Sequence, residues 1–90
     1  MSTKKRVILY SEIRSFYQCI YHYLLFRENG QLFLSIEEIE DEKTNFKSTI
    51  ADPGYSEEAC LAFMMTLADT ITSPQQLKEL YEDNDLNTFS

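Results

Sequence analysis

The stretch that decides the fold is SFYQCIYHYLLFRENGQLFLSIE, Ser15 to Glu37. Its first half reads two ways. Phe16, Cys19, Ile20, Tyr23 and Leu24 recur at helical spacing, yet Ser15 to Arg27 is dense in aromatics and holds no Ala or Met. It also runs into Glu28-Asn29-Gly30-Gln31. Asn-Gly between two apolar runs is the strongest short hairpin signal, because both central positions of a type I′ turn need positive φ. The turn therefore arbitrates, and Phe16 to Arg27 is predicted as a strand.

Outward from that hairpin, Gln31 to Glu40 alternates. Leu32, Leu34 and Ile36 face one way, while Phe33, Ser35, Glu37 and Ile39 face the other. Thr44 to Ala51 continues the meander after a polar turn, Asp41-Glu42-Lys43. Upstream, residues 1–6 read as a flexible arm. Val7 to Tyr10 is either a short edge strand or the arm docking on the core.

Downstream, Asp52-Pro53-Gly54-Tyr55 has the chemistry of a type II turn. Ser56 is placed as a helix N-cap, with Glu57 and Glu58 suited to the positive end of the helix dipole. Cys60, Phe63, Met64, Leu67 and Ile71 then share a helical stripe. Ser73-Pro74 restarts a short helix through Leu77, Leu80 and Tyr81, and residues 84–90 lack periodicity and are expected to fray. The expectation is one α+β domain over residues 1–90. It consists of an antiparallel β-meander of three or four strands, followed by two helices packed on one sheet face.

Charge is uneven along the chain. The net charge is −7. Residues 1–30 carry five Lys/Arg against Glu12 and Glu28, whereas residues 31–90 carry three lysines against thirteen acids. Such a molecule is repelled by nucleic acid and by anionic membranes, and attracted to a protein with a basic surface. The short apolar run Val7 to Tyr10 is no signal-peptide core and no stretch is long enough to span a membrane. With only two cysteines, Cys19 and Cys60, each among apolar neighbours, the expected setting is a reducing cytoplasm.

Catalysis finds little support. The single His22 and Cys19 have odd spacing, which on a strand puts them on opposite faces. Zinc-type ligand spacing is missing, the acidic tail EDNDLN lacks the Gly and final Glu of a calcium loop, and two glycines cannot make a phosphate loop. No catalytic residue, metal or cofactor is expected.

Two surfaces remain as candidates. The first is acidic: Glu37, Glu38, Glu40, Asp41 and Glu42, joined across the fold by Glu79, Glu82, Asp83 and Asp85. Strand alternation fans the first group to both sides, so it becomes a working surface only if the second group lies beside it. The other is aromatic. Tyr17, Tyr21 and Tyr23 share a strand face opposite Phe16, Ile20, Leu24 and Phe26. Helices cover only one side, so the leftover face needs the N-terminal segment, a second copy or a partner.

Tyr21-His22-Tyr23-Leu24-Leu25, Leu34-Ser35-Ile36-Glu37, Ile50-Ala51-Asp52 and Ser73-Pro74-Gln75-Gln76-Leu77, leading to Glu82-Asp83, resemble a family of small bacterial proteins known only as a domain of unknown function. That resemblance implies no activity. In size and acidity the chain is also similar to the small anti-CRISPR inhibitors of phages, which implies a basic nucleic-acid-binding protein, such as a CRISPR effector, as partner. The leading expectation is thus a non-enzymatic, acidic inhibitor that mimics nucleic acid. The alternative is a small structural or regulatory homodimer using the Tyr17/Tyr21/Tyr23 face.

Overall fold

A computed structural model describes residues 5–89. Four strands, β1 (Arg6–Phe16), β2 (Cys19–Glu28), β3 (Gln31–Glu40) and β4 (Lys43–Ala51), are followed by helices α1 (Glu57–Asp69) and α2 (Leu77–Asp83). The sheet order is β1-β2-β3-β4, all antiparallel, so the α+β meander expected from the sequence is present with its fourth strand complete. Of the expected arm, residues 1–4 lie outside the described residues. Arg6 already belongs to β1.

All three hairpins close through two residues. At Asn29-Gly30 both φ values are positive, 53° and 81°, as a type I′ turn requires. The β3–β4 turn repeats this with acids: Asp41 and Glu42 have φ of 52° and 64°. In the β1–β2 turn Tyr17 holds φ 57°. Val7 to Tyr10 is therefore neither a docked arm nor a short strand. It is the first part of an eleven-residue edge strand with a bulge between Ile8 and Tyr10.

Ser56 caps α1 as its residue type predicts, its hydroxyl accepting from the Ala59 amide at 3.1 Å. The helix ends with Ile71 N–H donating to the Ala68 carbonyl and Thr72 N–H to that of Leu67. This is the Schellman pattern, with Ile71 at φ 50° where glycine is usual. A 3-10 turn, Pro74–Gln76, leads into α2.

The helices cover a single sheet face. Cys60, Phe63, Met64 and Leu67 of α1 form one cluster with Tyr21, Tyr23 and Leu25 of β2, Leu34 and Ile36 of β3, and Ile50 of β4. The Tyr23 hydroxyl donates to the Thr72 carbonyl at 2.8 Å, tying β2 to the segment after α1. Residues 84–89 are held in place where fraying was expected, and Ser90 lies outside the described residues. Leu86 is fully buried, and the Phe89 ring meets Phe63 edge-on at 5.2 Å. One buried leucine and one ring anchor a segment that has no helical period to announce it.

Candidate interaction surface

Strand alternation divides the expected site residues between two faces. Tyr21 and Tyr23 lie on the helix-covered face and are core. Tyr17 is not on a strand at all but in the β1–β2 turn, 91% exposed. The tyrosine face proposed for a dimer is therefore the wrong side of the sheet. Both sides of β2 are aromatic, and the pattern alone did not say which the helices would take.

The side left bare carries Ile8 and Ile13 from β1, Ile20, Leu24 and Phe26 from β2, and Phe33 and Ile39 from β3, as the register requires. Its two ends differ. Near the Asn29-Gly30 end, the Arg6 guanidinium sits 4.2 Å from the centroid of Phe26 and pairs with Glu28 at 3.3 Å. Phe26 also stacks on Phe33 at 5.1 Å, which leaves it only 6% exposed. Towards the other end, Ile13 (60% exposed) and Ile20 (42%) stand in the open. A polar band crosses the middle. His22 Nε2 is 2.8 Å from Ser11 Oγ, Glu37 is the cross-strand neighbour of His22, and Lys47 that of Glu37. The Glu37 carboxylate accepts a hydrogen bond from Thr44.

Ser11, His22 and Glu37 are the residue types of a nucleophile, base and orienting acid, but such a set works on a substrate held in a pocket with N–H donors aimed at the developing oxyanion. One cavity, about 400 Å³, lies by Arg27, Pro53 and Ser56. A second, about 300 Å³, lies between Phe46 and Pro74. Neither is lined by Ser11, His22 or Glu37.

The acidic residues separate as well. Glu37 belongs to the open face. Glu38 points to the helix side and is buried, its carboxylate accepting from the Tyr21 hydroxyl and the Asn45 amide, each at 3.1 Å. Burial and that carboxylate raise the Tyr21 phenol above its ordinary value. Asp41 and Glu42 are exposed at the far end of β3, with Glu40 beside them. The last turn of α2 is at the opposite end. The Tyr81 hydroxyl donates to the Pro53 carbonyl, and Asp52 N–H to the Leu32 carbonyl, so α2 delivers Glu82 and Asp83 to the Asn29-Gly30 end of the sheet. Glu79 precedes them by about one turn, and Asp85 caps the last 3-10 turn by accepting from the Asn87 amide. A ten-residue strand separates the two ends, on the order of 30 Å at 3.3 Å per residue. Asp41 and Glu42 are thus apart from Glu82 and Asp83.

Sequence reasoning missed Ile8, Ile13 and the whole of β1 as part of a surface. The signal was inverted. On β1 the helix-side residues are Tyr10, Glu12 and Arg14, and Arg14 reaches the C-terminal end of α1, donating to the Ala68 carbonyl at 3.3 Å and pairing with Asp69 at 3.5 Å. Ile8 and Ile13 face outward, while Leu9 packs against the core.

Comparison of the chain with family models, with curated proteins and with solved structures gives no match. Among the described residues, no helix is long and apolar enough to cross a membrane, and no group of three or more His, Cys, Asp or Glu is placed to hold a metal ion.

Proposed function

We propose that this chain is a non-enzymatic protein-interaction module whose working surface is the open sheet face, and that the partner on that face is a second copy. The observation that carries this reading is the bare apolar face itself, with Ile8, Ile13 and Ile20 exposed on a sheet that is covered only on its other side. Apolar side chains exposed on either side of the polar band, on a face nothing else covers, are of the kind that marks an interaction site.

Charge favours a second copy over a basic partner. The open face carries Arg6 and Lys47 against Glu28 and Glu37, and so is balanced on a chain whose net charge is −7. Two such faces meet without the repulsion that the rest of the surface would impose, whereas a basic partner finds nothing there to attract it. Size is adequate. Four strands about 4.8 Å apart and some 30 Å long present on the order of 500 Å² in projection. Side-chain relief brings that towards the roughly 800 Å² per partner of a standard interface.

Sedimentation equilibrium from micromolar to millimolar concentration tests this. The wild type is expected to form a dimer that Ile13→Glu and Leu24→Glu each dissociate, with circular dichroism unchanged because neither side chain belongs to the helix-covered core. A wild type that stays monomeric throughout the range overturns the reading.

The inhibitor reading would have to rest on either acidic end alone, since Asp41 and Glu42 lie far from Glu82 and Asp83. Its signature is different: binding to a basic protein that weakens steeply with salt and with charge reversal at Asp41 and Glu42.

A further inference from the structure

Two of the three cations of the acidic part of the chain line one cavity. Residues 31–90 hold three lysines. Lys43 and Lys47 lie on β4, whose outer edge has no strand beside it, and Lys78 lies on α2 across a cavity of about 300 Å³. The four ion pairs among the described residues use arginines only. Register sets the two nearest lysines on either side of the edge. Lys47 pairs with Glu37 and so faces the open side, while Phe46 pairs with Glu38 and faces the helices, where Pro74 and Lys78 complete the cavity.

Lysines on an edge strand ordinarily repel other strands. In that role Lys43 and Lys47 would oppose the joining of two copies through β4. That role does not explain a cavity floored by a half-exposed phenylalanine beside an edge with free N–H and C=O groups. We propose that the β4 edge docks an extended acidic segment of a partner protein, which adds as a fifth strand. An apolar side chain of that segment packs on Phe46 and Pro74, and its carboxylates reach Lys47 on one side and Lys78 on the other. Backbone bonds would supply affinity, and the cavity and lysines selectivity, as in other strand-addition complexes.

The test uses the whole protein, isotope-labelled for NMR, and a short acetylated peptide alternating Glu with Val that ends in paired Glu. A counterpart with Lys in place of every Glu serves as control. Amide shifts are expected along residues 43–51 for the acidic peptide alone, with affinity lost roughly tenfold or more in the Lys47→Glu/Lys78→Glu double variant. Binding is expected to persist in Ile13→Glu, which keeps this edge distinct from the open face. The proposal is overturned if no shifts appear at millimolar peptide, if they map to other strands, or if the basic peptide binds as well. Equal affinity in the double variant, or loss of binding in Ile13→Glu, overturns it too.

Discussion

Asp41 and Glu42 occupy backbone conformations that suit Asn and Gly, at φ 52° and 64°. Left-handed backbone costs an L-residue of ordinary type on the order of 1 kcal/mol, and the turn between β2 and β3 already has the better solution in Asn29-Gly30. Asp41→Asn with Glu42→Gly is therefore expected to stabilise the fold by about 1 kcal/mol in urea denaturation, although it removes two charges from the most acidic stretch of the chain. Nearby, Glu38 is a buried carboxylate with two donors. Tyr21→Phe removes one of them and is expected to cost about 1–3 kcal/mol, the penalty for an unsatisfied buried acceptor. Cys60 gives the pH dependence. Burial pushes its thiol up to about 11 from an ordinary 9.0. Below pH 9 both folded and unfolded chains hold the proton. Between pH 9 and about 11 only the folded chain does, so stability falls as pH rises through that window. Chemical denaturation across that range is expected to show a shallower decline in Cys60→Ala, with the residual slope owed to other groups that burial also raises, Tyr23 and Tyr21 among them.

At the scale of elements, the hairpin around Asn29-Gly30, the alternation of β3 and the Ser56 cap could all be read from the chain. Each is a local signal in which a residue type meets a backbone requirement within a few positions. β1 and the last segment could not. β1 turns through Tyr17-Gln18 with no glycine, and turns Glu12 and Arg14 towards the helix side, where Arg14 finds the end of α1. The hydrogen bond to Ala68, 54 positions later, exists only once that helix has docked. The segment after α2 is held by Leu86 and Phe89, single contacts without period. Leu86→Ala is expected to cost about 2–5 kcal/mol in thermal or urea unfolding, the range for a fully buried leucine. A frayed tail would give almost nothing. Which side of β2 becomes core was equally out of reach. Ile20, Leu24 and Phe26 are as apolar as Tyr21, Tyr23 and Leu25, and the choice is made by tertiary packing of α1.

The whole molecule is a slab of about 40 × 35 × 18 Å, one sheet backed by one layer of helices. Its net charge of −7 lies mostly off the open face. Salt should therefore act oppositely on the two kinds of association. Raising it from about 50 to 500 mM screens the mutual repulsion of two acidic copies and is expected to tighten the dimer, read as a lower dissociation constant in sedimentation. An acid-led complex with a basic protein would loosen over the same range.

The meander order has a kinetic consequence. Each strand bonds only to its neighbours in sequence, and each hairpin closes through two residues, so the sheet can zip without closing a long loop. Residues that seal its core follow the sheet in sequence, with Leu86 and Phe89 after both helices. During synthesis the four strands thus emerge before the helices that dry one face of their sheet.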